Sequence, residues 1–122
     1  LTEIHSAKKK FLKEIKSGTA ALILLGVLAR ADEPMYGYQI SKILETNQDE
    51  PATIKQGALY PVLRSLESGG LLESSVEPSV SGPPRRYYQI TALGREALEE
   101  WAAIWQKTKN FVDAALGGEQ HG

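Results

Sequence analysis

The sequence predicts a mostly α-helical fold that carries one β-hairpin, and three observations predict it. Apolar residues recur at spacings of three and four along most of the chain. A single stretch around residues 71–91 switches to alternation about a Pro/Gly/Ser-rich tip. The final segment returns to helical spacing and carries two tryptophans one turn apart.

Taken in order, Ile4, Ala7, Phe11, Leu12 and Ile15 mark an amphipathic helix whose remaining surface is rich in lysine. Residues 19–31 are apolar on nearly every face, which in a small chain predicts a second helix, buried at the centre. Asp32-Glu33-Pro34 ends it, because proline lacks an N–H and biases its predecessor away from helix. Beyond Tyr36-Gly37-Tyr38, the positions Ile40, Ile43 and Leu44 outline a short helix that turn-forming residues close over 47–51. Thr53-Ile54-Lys55-Gln56 has the form of a capping box, and the helix after it buries Leu59, Val62, Leu63 and Leu66. Pro61 constrains where that helix starts: a start at Ile54 places the proline beyond the first turn and bends the helix, and a start nearer Gly57 relieves the strain. Gly69-Gly70 has the form of a left-handed cap. Strands are expected at 71–77, with Leu72 and Val76 on one face, and at 85–91, with Arg86, Tyr88 and Ile90 on one face; 78–84 form the tip between them. Thr91 caps a long last helix whose Ala97, Leu98, Trp101, Ile104, Trp105, Phe111 and Val112 make a broad apolar seam. Four helices, a hairpin and a long helix, in that order, describe a winged helix-turn-helix plus N-terminal and long C-terminal helices. The expected division is a winged-helix unit with its N-terminal helix over residues 1–91 and a dimerisation helix over 92–122.

Composition narrows the chemistry. A chain of 122 residues with 42% hydrophobic content is one domain, small enough to depend on a partner. The longest apolar run, 20–29, is too short to cross a bilayer, so no membrane role and a cytoplasmic location are expected. Without cysteine there are no thiolate ligands or thiol nucleophiles. His5 and His121 sit in opposite tails, and no zinc-protease, phosphate-loop or catalytic-triad motif occurs, so no enzyme, metal or cofactor is expected. The net charge of −1 hides an asymmetry: residues 1–64 hold nine Lys/Arg against seven Asp/Glu, and residues 65–122 hold five against eight. A local basic face is compatible with that distribution.

In a winged helix the helix before the hairpin offers its polar face to the major groove, and the hairpin tip lies over the backbone or minor groove. Gln56, Gly57, Tyr60, Arg64 and Ser68 lie off that helix's apolar stripe, an amide, a phenol and a guanidinium able to meet bases or phosphates. Gly57 allows the backbone to come close to DNA. Of Arg85 and Arg86, alternation puts only one on the face of Tyr88 and Ile90; one is structural, the other a phosphate or minor-groove contact, and the pattern fits either assignment. Lys8, Lys9, Lys10, Lys13 and Lys16 read first as the wet face of an amphipathic helix. Trp101 and Trp105 suit a dimer seam or an aromatic ligand site, together with Leu98, Ile104, Phe111 and Val112.

Three segments in register, Met35-Tyr36-Gly37-Tyr38, the run GALYPVLRSLESGGL over 57–71 and the run PRRYYQITALG over 84–94, resemble the PadR family of transcriptional regulators, within a likeness covering about Leu22 to Trp105. The resemblance implies a homodimeric repressor, released from double-stranded DNA by small aromatic or drug-like compounds, with a single C-terminal dimerisation helix. It also implies that, of the paired tyrosines, one packs as core and the other, with Tyr38 preferred, bonds a phosphate. Ala58 departs from the threonine common in the family, and Pro83 stands where a basic residue is common beside the wing's arginines. The expected function is therefore ligand-responsive binding of a pseudo-palindromic operator, with a planar aromatic effector; the alternative is a winged-helix module that binds protein without specific DNA binding.

Overall fold

The structure of the chain, a computed structural model, describes residues 3–45 and 54–118. The expected turn at 47–51, Thr53 and His121 lie outside the described residues. The elements are α1 (Glu3–Arg30), β1 (Met35–Tyr36), α2 (Gly37–Glu45), α3 (Gln56–Ser68), β2 (Leu72–Glu77), β3 (Arg85–Ile90) and α4 (Ala92–Ala115). Mostly helical, with a small antiparallel sheet, this is a winged helix.

The two helices expected before Asp32 are one. α1 runs without interruption because Lys16, Ser17 and Gly18 all keep their backbone donors; Gly18 costs about 1 kcal/mol of helix propensity without breaking the ladder. Thr19 Oγ1 donates back to the Ile15 carbonyl at 2.8 Å, inside the helix. The C-terminal half buries Ala20, Leu24, Leu25 and Leu28 as the apolar run requires. In the N-terminal half, by contrast, Ile4 and Phe11 remain exposed.

β1 is an addition to the expected hairpin. Its two residues have no readable period, and it exists because β3 offers it a free edge: Met35 pairs with Tyr88 and Tyr36 with Tyr87, in the sheet order β1-β3-β2. The Tyr36 N–H donates to Gln39 Oε1 at 3.0 Å, half of a capping box, so α2 starts directly at Gly37. Ile40 is buried and Leu44 half-buried, but Ile43 faces out, contrary to expectation.

α3 begins at Gln56 after an extended Lys55 that makes no side-chain cap. Thr53 and the Gln56 side chain, the two ends of the capping-box pattern, lie outside the described residues. Pro61 is the sixth helical residue, and it cannot donate to the Gly57 carbonyl; the helix continues through it. Leu59 and Leu63 are wholly buried and Leu66 nearly so, in one cluster with Leu24, Leu25, Ile40 and Leu72. Gly70, at φ +80°, supplies the left-handed turn, and the Leu71 N–H returns to the Leu66 carbonyl at 2.9 Å.

β2 and β3 pair from Leu72–Ile90 at the core end to Glu77–Arg85 at the tip. Leu72 is buried, whereas Val76, two pairs further out, has left the core. Thr91 joins the wing to α4: its N–H donates to the Leu71 carbonyl (3.1 Å), its hydroxyl donates to the Gly70 carbonyl (2.7 Å) and accepts from the Gly94 N–H (3.0 Å). Gly94 is buried in this joint. A methyl there would lie 2.7 Å from Ile90 Cγ1 and closer still to the Leu71 carbonyl oxygen. Gly94→Ala should therefore lower stability by about 1–3 kcal/mol, whereas Gly18→Ala, with open space around it, should be neutral or stabilising by up to about 1 kcal/mol; thermal unfolding of the two variants checks the contrast.

Candidate nucleic-acid interface

Burial of Leu59, Leu63 and Leu66 turns the opposite side of α3 outward. Gly57, Pro61, Arg64 and Ser68 follow one another at spacings of four, three and four along the exposed face, with Tyr60 and Ser65 beside them. Pro61 and Ser65, which the sequence pattern does not mark as contacts, share this exposed side because both lie off the apolar stripe. The Gln56 side chain lies outside the described residues. Among the described residues, no heavy atom beyond its chain neighbours and its own helix backbone lies within 4 Å of where a Cβ on Gly57 would sit.

Tyr60 leans from α3 onto the start of α2. Its ring lies against the buried Gly37, where a methyl would come within 2.6–2.7 Å of Tyr60 Cε1 and Cζ. Between this contact and the wing is a cleft of about 620 Å³ lined by Tyr36, Tyr60, Arg64, Glu67, Arg85, Arg86 and Tyr88. Three arginines and one carboxylate thus border this cleft, in a chain whose net charge is −1. Tyr60, Arg64, Arg85 and Arg86, named separately on the sequence, share this cleft.

The two wing arginines are placed differently. Arg86 Nη1 donates to Ser74 Oγ at 3.0 Å, and Ser74 Oγ donates to Glu67 Oε2 at 2.6 Å. Arg85 stacks its guanidinium 4.5 Å from the centre of the Tyr36 ring, which meets Tyr87 edge-on at 5.3 Å. Tyr36 is half-buried and Tyr38 exposed, with their rings 6.5 Å apart. Lys42 lies 5.2 Å from the Tyr38 ring centre and 3.4 Å from Glu45; the Tyr38 hydroxyl and then Glu45 raise its ammonium pKa. Tyr38 does not line the cleft but stands on α2, beside it.

Lys9, Lys10, Lys13 and Lys16 border a second cleft, of about 880 Å³, with Lys55, Ala58 and Val62 on its α3 side. The lysine-rich face of α1 therefore adjoins the N-terminal end of α3. On α4, Leu98 and Trp101 pack against the core, whereas Ile104, Trp105, Phe111 and Val112 are exposed. Trp101, Ile104 and Trp105 line a mostly apolar cavity of about 410 Å³ with Ile15, Gly18 and Leu22 of α1. Among the described residues no helix is long and apolar enough to cross a membrane, and no group of three His, Asp or Glu side chains is placed to hold a metal ion.

The Transcriptional regulator PadR-like family model matches residues 24–100. An uncharacterized protein of Lysinibacillus sphaericus is 30% identical over 105 residues, 86% of this chain and 94% of its own length. A transcriptional regulator of Mycobacterium tuberculosis is 40% identical over 68 residues, 56% of this chain and 60% of that one. Among solved structures, a PadR family transcriptional regulator from Eggerthella lenta superposes with a TM-score of 0.78 at 33% identity, covering 93% of this chain and 95% of that chain.

Burial chiefly, and the charge of Glu67 next, raise the Tyr88 phenol above the ordinary 10.0, against the opposing pull of Arg86 and Arg64. A raised phenol favours the folded state fully below pH 10.0, and that contribution is lost as the pH climbs through 10.0 toward the raised value. In a spectrophotometric titration, Tyr88→Phe should remove a phenol ionisation that lies above pH 10.0.

Proposed function

The chain belongs to the PadR-like family of transcriptional regulators, and from that premise we propose that it is a repressor which binds a pseudo-palindromic operator as a homodimer and releases it when a planar aromatic compound binds. The family makes it a DNA-binding regulator; repression, the symmetric site and the effector are the proposal. The observation that carries the DNA-facing part is the juxtaposition of a bare α3 face with the arginine cleft between α3 and the wing. α3 enters the major groove with Gly57, Tyr60 and Arg64 leading, together with Gln56 at its first turn, and one of the two wing guanidiniums and Tyr38 meet flanking phosphates.

Dimerisation is assigned to residues 92–122, with the first turns of α4 shared with the winged-helix unit. Ile104, Phe111 and Leu116 are each at least 60% exposed, as are Ile4 and Phe11 on α1, a quantity of bare apolar surface that a second copy would cover. The cavity beside Trp101 and Trp105 supports the effector reading: a flat apolar compound seated there changes the packing of α4 on α1 and hence the separation of the two α3 helices, which a rigid operator resists. The protein works where DNA is, in the cytoplasm, and catalyses nothing.

Two outcomes check the DNA-facing part. Arg64→Ala should weaken operator binding by about 1–3 kcal/mol and relax discrimination against random duplex. Gly57→Ala should leave thermal stability unchanged or higher and yet weaken binding, because the added methyl meets only DNA. Fluorescence polarisation at several salt concentrations measures both; binding indifferent to salt would instead mark a protein-binding module.

The regulatory part is checked by sedimentation and fluorescence together. At micromolar concentration the protein should sediment as two chains. Planar aromatic compounds should quench Trp101 and Trp105, and a compound that weakens operator binding tenfold should itself bind the operator complex tenfold more weakly, about 1.4 kcal/mol.

A further inference from the structure

The two adjacent arginines of the wing have unlike surroundings, and the difference assigns them unlike tasks. Alternation along β3 turns Arg86 to the face of the buried Tyr88. Register places Arg86 opposite Val76 and Tyr88 opposite Ser74, so the guanidinium reaches diagonally to the serine. Polarity along the chain runs one way. The single hydroxyl proton of Ser74 goes to Glu67 Oε2, which leaves the serine oxygen's lone pairs for Arg86 Nη1. At 2.6 Å the Ser74–Glu67 bond is as short as a charge-assisted O–H···O⁻ bond. Ser74 and Glu67 are both half-buried, so water screens the Ser74–Glu67 bond less than a surface pair, whereas the Arg86 end of the relay is exposed. Three elements, β3, β2 and α3, are tied by it.

Arg85 points to the other face. The Tyr36 ring holds its guanidinium carbon 4.5 Å from the ring centre, and no acceptor meets its donors among the described residues. Tyr36 is itself held by β1–β3 pairing and by Tyr87. Arg85 is thus ordered in advance with its donors still available. Arg86 is committed, and the carboxylate at the end of its relay repels a phosphate.

We propose that Arg86 is a positioning residue, held by Glu67 through Ser74 so that the wing keeps a fixed attitude to α3, and that Arg85 is the guanidinium the wing presents to a DNA phosphate. The second half rests on the DNA-binding reading above; the first half does not.

The experiment compares Glu67→Gln, Arg86→Gln, their combination, Ser74→Ala, Ser74→Thr and Arg85→Gln in the full chain, by thermal unfolding without DNA and by duplex binding across a salt series. In unfolding, the Glu67 and Arg86 variants should each lower Tm and the double variant should fall no further than the worse single one, since one relay is broken once. In binding, the relay variants should each lose about 3- to 10-fold with the slope of log K against log salt unchanged, and Ser74→Thr, which keeps the hydroxyl, should bind like the parent. Arg85→Gln should keep its Tm and lower the slope by about 0.9, one phosphate contact. Additive losses of Tm would overturn the relay whatever happens with DNA. A slope that drops with Arg86→Gln and not with Arg85→Gln would overturn the division of labour. If the parent binds no duplex, the DNA-binding reading and the phosphate role of Arg85 both fall, while the unfolding cycle still decides the relay.

Discussion

The burial of one stripe of α3 is the constraint from which the rest follows. Leu59, Leu63 and Leu66 must enter the cluster that holds Leu24, Leu25, Ile40 and Leu72, because a domain this small has no other central core. Each wholly buried leucine contributes on the order of 2 kcal/mol. Once the stripe is committed inward, helical geometry leaves Gly57, Pro61, Arg64 and Ser68 no direction but outward. The same residues that stabilise the fold therefore aim the interface, and no separate device is needed to present it.

Close backbone approaches then fix what stands around α3. Gly37 admits the Tyr60 ring at the start of α2, and Gly94 admits the Leu71 carbonyl where the wing gives way to α4. Thr91 closes the second joint with three hydrogen bonds involving Gly70, Leu71 and Gly94. Rigid joints matter because charge alone does not mark the surface. The chain's net charge is −1, and the positive face arises from bringing Arg64, Arg85 and Arg86 into one cleft while α1's lysines adjoin the head of α3.

Away from this face the chain is incomplete in a specific sense. The N-terminal half of α1 and the later turns of α4 both carry large apolar side chains in the open, and they lie at the end of the molecule where the two helices pack together. Gly18, on that packing face, leaves room beside Trp101 and Trp105 that a longer side chain would fill.

Much of this was legible in the sequence, since local periodicity and local stops determine it. The apolar stripe of α3, the strand alternation of Arg86, Tyr88 and Ile90, the stop at Asp32-Glu33-Pro34 and the Thr91 cap depend on residues within one or two turns of each other. The tertiary structure decided whatever depends on residues distant in the chain. β1 exists only because β3 has a free edge, which no reading of Met35-Tyr36 alone reveals. α1 is continuous because its two halves, so unlike in composition, share one unbroken backbone ladder. Alternation assigned Arg85 and Arg86 to opposite faces, but only the arrival of Ser74 and Glu67 on one side and Tyr36 on the other distinguishes them. Sequence determines which face a side chain takes; packing across distant elements determines what that face meets.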